Sequence, residues 1–209
     1  MVKNHKKRLL TTSLVTLLPL FLGLLLWNRL PQRIPTHWNF AGEIDGWSGR
    51  PFGVFFIPLF CLAMHWFIVG CICLDPKSQN IQGKALSFSL WFCPVFSNLM
   101  MAFVYGAALG LEFDLHRALA VVLGLLYLIL GGLMPKFQHN YTIGIRVPWT
   151  LDDPENWEKT HRMAGKVCVV GGLAVLMTVF TGGFYPVLIA VMVGTSLAPV
   201  AYSIYLSRK

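Results

Sequence analysis

The chain has 209 residues, of which 56% are hydrophobic and only 12% charged, and its mean hydropathy is +0.61. A soluble domain carries about 25% charged residues, so this composition excludes a soluble globular protein and calls for lipid as the solvent. The net charge of +8 does not indicate a nucleic-acid binder. Such a protein gathers Lys and Arg on one solvated face, whereas here they stand in short runs between long apolar stretches.

At the N-terminus, Lys3, Lys6, Lys7 and Arg8 precede an apolar run over residues 9–27. The pattern is that of a signal peptide, but the run is long and no small-residue cleavage site precedes Asn28. An uncleaved first span is expected. Five further stretches follow, at residues 52–74, 85–111, 115–133, 163–180 and 184–206. Each is near or above the roughly 20 residues that cross a bilayer. Pro94 offers a kink in the third, and Thr181-Gly182-Gly183 marks a tight turn that joins the last two as a hairpin. The fold class expected is therefore all-α, integral to the membrane, with six transmembrane helices.

Lys and Arg fix orientation by collecting on the cytoplasmic side. With the N-terminus inside, 13 of the 17 basic residues lie on the inner face, and Arg29, Arg33, Arg50 and Arg117 on the outer. Both ends are thus expected in the cytoplasm. Two connections are longer than a turn needs: residues 28–51, outside, and residues 135–162, inside. Each follows a span and carries a cluster of Pro and Trp, which suggests two three-helix halves of inverted topology. The chain divides into residues 1–74 (first span, outer loop, second span), 75–134 (third and fourth spans) and 135–209 (inner loop and last two spans).

The outer loop concentrates Pro31, Pro35, His37, Trp38, Asn39, Gly42, Glu43, Asp45 and Trp47. The prolines stop the first helix, Asp45-Gly46 favours a tight turn, and tryptophans suit the headgroup region. One reading is an interfacial loop anchored by aromatics. The sharper one is a preformed recognition surface for something arriving from outside. In the inner loop, Asp153-Pro154-Glu155 is a helix start. A helix running from it along the cytoplasmic surface into the fifth span would bring Trp157, Lys159 and His161 within about a turn of one another. That loop reads either as an amphipathic collar or as a docking site for a cytoplasmic partner. The Asn140-Tyr141-Thr142 sequon falls on the cytoplasmic side in this topology.

No Asp or Glu lies well inside a span, and His65 is the readily titratable residue at mid-membrane. Ion-coupled carriers usually place acids there. No metalloprotease, P-loop or nucleophile-elbow motif occurs, and no histidines stand at metal spacing. The five cysteines, with no C-x-x-C pair, read as buried apolar side chains. Gly106 and Gly110 make a weak helix-packing signal. An enzyme would have to use His37 with Asp45 or His161 with Asp153 as acid and base. A peptide exporter would use helices broken at Pro19, Pro58, Pro94, Pro186 and Pro199.

Residues 140–162, around Gly144-Ile145-Arg146-Val147-Pro148-Trp149-Thr150-Leu151, resemble the signature of the SdpI family of bacterial immunity proteins. Residues 30–47 resemble the domain of unknown function DUF1648 that often precedes it. The resemblance implies protection against a secreted membrane-active peptide toxin at the outer face. It also implies recruitment of a cytoplasmic autorepressor at the inner one, with no catalysis, cofactor or metal and no direct contact with nucleic acid. Its outer, toxin-binding residues would be Pro35, His37, Trp38, Asn39, Gly42, Asp45 and Trp47. Its inner, partner-binding residues would be Asn140, Gly144, Arg146, Pro148, Trp149, Trp157, His161 and Arg162. Arg146 is the expected anchor there, because a guanidinium can hold carboxylates or carbonyls bidentately.

Overall fold

The computed structural model describes residues 5–209; Lys3, among the basic residues counted ahead of the first span, lies outside them. In chain order the elements are α1 (Lys6–Leu25), β1 (Arg33–Trp38), β2 (Ile44–Gly49), α2 (Arg50–Leu74), α3 (Gly83–Ala108), α4 (Leu115–Leu133), α5 (Pro148–Asp152), α6 (Pro154–Thr181) and α7 (Phe184–Ser207). Among the described residues six helices are long and apolar enough to cross a membrane: α1, α2, α3, α4, α6 and α7. Their flanks carry large exposed apolar side chains such as Phe60, Phe67, Ile129, Val170 and Leu197, which only a lipid solvent accommodates. The chain is a multi-pass integral membrane protein.

One finding departs from the all-α expectation: in the first long loop β1 and β2 pair as an antiparallel hairpin. The helix expected to begin at Asp153-Pro154 and join the fifth span is α6, one uninterrupted helix of 28 residues, about 42 Å long. Its start is as expected: Asp153 caps it, accepting the Glu155 N–H at 2.8 Å, with Pro154 at the first turn.

The chain forms two compact units, residues 1–74 with 86–113 and residues 75–85 with 114–209. In the first unit Pro19 lies inside α1 and cannot donate the N–H that would reach the carbonyl of Val15. The Asn98 amide of α3 donates to that carbonyl instead, at 2.8 Å. Ser97 donates to the Thr16 carbonyl and Tyr105 to that of Pro19, each at 2.9 Å. In lipid every backbone group needs such a partner. Next to this seam, fully buried His65 of α2 meets the Thr12 hydroxyl at 3.1 Å.

In the second unit α4 and α6 pack antiparallel through paired glycines. A methyl group on Gly172 would come within 2.8 Å of the Gly124 carbonyl oxygen, and one on Gly165 within 2.8 Å of that of Gly131. Small residues let helix backbones approach this closely in a membrane. The sequence signal was a pair of glycines seven residues apart on each helix. Gly106 and Gly110 do not serve this purpose: Gly106 faces only Leu111 and Phe113 of the turn that follows, and Gly110 has open space beside it.

Candidate functional site

The first loop belongs to the first unit. Its strands pair Arg33 with Gly49, Ile34 with Ser48, Pro35 with Trp47, His37 with Gly46 and Trp38 with Ile44, with irregularities on either side of His37. Pro35, which has no N–H, fits an edge position of this kind. Ile34 is fully buried and packs over Gly53 of α2, in a cluster with Leu30, Val54, Met101, Val104 and Tyr105. Trp38 packs partly against the same cluster, so it is an anchor more than a free face. Arg50 closes the base, donating its backbone N–H to the Gln32 carbonyl at 2.8 Å and its Nε–H to that of Pro31 at 3.1 Å.

The turn is not at Asp45-Gly46 but at residues 39–42. Asn39 Oδ1 accepts the N–H groups of Ala41 and Glu43 at 2.9 and 3.0 Å, and Gly42 takes φ of +82°. That left-handed conformation suits glycine. Asp45 and Gly46 lie in β2, where a methyl group on Gly46 would come within 2.7 Å of the His37 Cβ. Gly46 thus leaves room for His37 to lie across the strand pair. His37 Nδ1 meets Asp45 Oδ1 at 2.5 Å, with the side chains 71% and 44% exposed. Trp47 and Phe40 are also exposed. Of the expected outer-loop residues, then, His37, Asp45 and Trp47 face outward, Pro35 is buried, and Asn39 and Gly42 shape the turn. Exposed Phe40 was not among them.

The second loop belongs to the second unit and is built the opposite way. Asn140 is buried; its Oδ1 accepts the N–H groups of Thr142 and Ile143 at 2.8 and 2.7 Å, and its amide donates to the carbonyls of Gln138 and Ile143. Gly144 has φ of +120° and lies directly on the His161 ring, with the Trp157 ring 3.1 Å from where a Cβ would stand. His161 is buried and its ring stacks on Trp157 at 4.1 Å between centroids. Its Nε2 accepts the Ile145 N–H at 2.9 Å while its Nδ1–H donates to the Trp157 carbonyl at 2.8 Å. One nitrogen accepts and the other donates, which is the hydrogen-bond set of a neutral imidazole. Trp157 Nε1 donates to the Phe137 carbonyl at 2.8 Å.

Trp149 is half-buried, and its Nε1 donates to Ser203 Oγ of α7 at 2.6 Å. The Asn156 amide donates to the Ser203 carbonyl at 2.9 Å, and Thr160 donates to Asn156 Oδ1. Lys159 does not join Trp157 and His161; it pairs with Glu155 at 2.5 Å. Asp153 caps α6 and does not meet His161, so that acid–base pair is not assembled. Arg146 is exposed, with its guanidinium donating to the Tyr141 carbonyl at 2.6 Å. Pro148 and Arg162 are exposed as well, the latter paired with Glu158.

Sequence reasoning missed the residues that pin this loop. Asp75, just after α2, is buried; its Oδ1 accepts the Lys77 N–H at 2.7 Å, and its Oδ2 accepts the Tyr141 N–H at 2.9 Å and the Thr142 hydroxyl at 2.6 Å. Lys77 Nζ donates to His139 Nδ1 at 2.5 Å, and His139 Nε2 donates to the Leu151 carbonyl. Thr150 donates to the carbonyls of Ile145 and Val147. A lone carboxylate at the end of an apolar span was the available signal for Asp75. Among the described residues no group of three His, Cys, Asp or Glu side chains is placed to hold a metal ion.

Residues 14–62, which contain the hairpin, match the domain of unknown function DUF1648, and residues 136–203, which contain the second loop, match the SdpI/YfhL protein family. The chain is similar to the immunity protein SdpI of Bacillus subtilis (strain 168), with 26% identity over 193 residues covering 89% of this chain and 88% of that one. It is an SdpI/DUF1648-family membrane protein. No solved structure matches it.

Proposed function

We propose that this SdpI-family protein is a membrane immunity protein that protects its bacterium against a secreted, membrane-active peptide. The observation that carries this reading is the similarity to an immunity protein over nearly the whole of both chains. The toxin face is the hairpin, where Phe40 and Trp47 offer apolar area beside the acidic Asp45 and Glu43. Exposed aromatics flanked by acids suit a hydrophobic, cationic peptide.

Both termini face the cytoplasm in this reading, and the hairpin stands outside. The distribution of basic residues, 13 against 4, supports it through the positive-inside rule. Three spans precede residue 114 and three follow, each set with its long loop after the first span, as in two halves of inverted topology. On the inner face Arg146, Pro148 and Arg162 would meet a cytoplasmic repressor, while Asn140, Gly144, Trp149, Trp157 and His161 hold the loop that presents them. Arg146→Ala should abolish recruitment at normal protein abundance; recruitment at the wild-type level would reject that role.

The test of immunity is to express the chain in a toxin-sensitive bacterium, add the sporulation-delaying peptide and follow membrane potential. Protected cells hold their potential; collapse as fast as in cells lacking the chain would overturn the proposal. Impermeant thiol labelling of Ala41→Cys and Pro148→Cys, each in a cysteine-free background, reads the topology. The first should label in intact cells and the second only after lysis.

A further inference from the structure

The second unit carries a cavity of about 350 Å³ that the immunity reading leaves unused. It lies between the first turn of α4, the last turn of α6 and the first turn of α7, and its lining includes Asp114, His116, Arg117, Phe180, Phe184 and Tyr185. Three span ends meet there, so the cavity stands at the level where hydrocarbon gives way to water. Its volume falls in the range of small-molecule sites, roughly 300–1,000 Å³.

We propose that this cavity holds the headgroup of a phosphoethanolamine lipid. The polar edge is an ion pair, Arg117 Nε to Asp114 Oδ2 at 3.2 Å, with the side chains 69% and 49% exposed. It presents a positive and a negative group side by side, the complement of a zwitterionic headgroup. An exposed pair of this kind is weak and exchanges partners readily. The planar Arg117 guanidinium suits the phosphate. Asp114 Oδ1 accepts the Arg117 backbone N–H at 3.1 Å as the cap of α4, so the oxygen that accepts from the ammonium is Oδ2, released when the Arg117 guanidinium turns from it to the phosphate. The N-terminal ends of α4 and α7 both open on the cavity, and their dipoles favour the phosphate.

The apolar edge fits the rest of the lipid. Phe180 is 85% exposed and offers a wall for the glycerol and upper acyl chain. Phe184 is buried as the floor, and His116 lies edge-on to Tyr185 at 5.1 Å between ring centroids. The ammonium is what distinguishes this lipid. A phosphocholine group has no N–H to give Asp114, and a phosphoglycerol group has no cation at all.

The test is native mass spectrometry of the full chain in detergent, with phosphatidylethanolamine, phosphatidylcholine and phosphatidylglycerol of the same acyl chains added in equal amounts. Retention of the ethanolamine lipid should exceed that of the other two about tenfold, the scale of one charge-assisted hydrogen bond. Asp114→Asn, which keeps a good helix cap, should erase that preference, whereas Arg117→Gln should lower retention of all three lipids alike and Arg117→Lys should keep part of it. Equal retention of the three lipids by the wild-type chain would overturn the proposal, whether or not the variants fold. So would an undiminished preference in Asp114→Asn. Displacement by soluble phosphoethanolamine at the concentration of the lipid would show a site for a free small molecule and would equally overturn it.

Discussion

The two long loops are made of similar residues, Pro, Trp, His, Gly, Asn and Asp, and use them in opposite ways. In the hairpin, His37, Asp45 and Trp47 lie on the surface, and a short stretch of buried backbone around Ile34 holds them there. In the second loop, Asn140, Trp157 and His161 are interior, each bonded to backbone groups that would otherwise be unpaired. A distinctive cluster of residues therefore has two physical meanings. It marks a face when its side chains end in solvent, and a scaffold when they end on the chain itself. Only the first kind should tolerate truncation without loss of structure.

That contrast predicts a ranking of effects. The largest is Gly144→Ala, which drives a methyl group into His161 at a positive φ and should cost about 3 kcal/mol. A drop in the thermal midpoint of the detergent-solubilised protein measures it. Next comes Asp75→Asn, which in either amide orientation places an N–H₂ group against a donor, at the least the Lys77 N–H, and should cost about 2 kcal/mol. Faster proteolysis within residues 137–147 would report it, and an unchanged cleavage rate would mean that Asp75 does not hold the loop. Trp149→Phe removes the single bond to Ser203 and should cost about 1 kcal/mol.

A pH effect of similar size separates the loops. Protonating His161 places a proton on the nitrogen that accepts the Ile145 N–H, so the bond is present at neutral pH and lost in acid. Amide exchange at Ile145 should speed up by about fivefold as the pH falls below the usual imidazole range, about 6.5, after correction for intrinsic exchange. The backbone bonds of the hairpin do not depend on His37, so exchange there should not follow. Smallest of all, Trp47→Ala and Phe40→Ala should change stability by no more than about 0.5 kcal/mol each. A larger loss would place these side chains in a packed interior.

Much of this was legible in the sequence. Five of the six spans lie within about three residues of their expected bounds, because an apolar run of about 20 residues has one solution in lipid; the fifth begins well before its expected start, at Pro154. The apolar stretch of residues 163–180 covers only part of α6, because Glu155, Glu158, Lys159 and Arg162 interrupt the hydropathy before it. Helical hydrogen bonding is indifferent to that interruption, and the ion pairs of Glu155 with Lys159 and Glu158 with Arg162, four residues apart, support it. The hairpin was obscured by Pro31 and Pro35 and by a strand irregularity that disturbs alternation. The two loops stood out in the sequence, but not Phe40 or Asp75, nor the division of their residues into face and scaffold. That division rests on partners such as Thr142 with Asp75 and Trp149 with Ser203, 67 and 54 positions apart, and no local pattern announces them.

The most direct test of the central claim is membrane potential after peptide addition, measured for the wild-type chain and a Phe40→Ala, Trp47→Ala double variant at equal abundance and equal thermal midpoint. The account predicts that wild-type cells hold their potential and double-variant cells lose it, since only the exposed face has been removed. Full protection by the double variant would contradict the assignment of the hairpin as the toxin face.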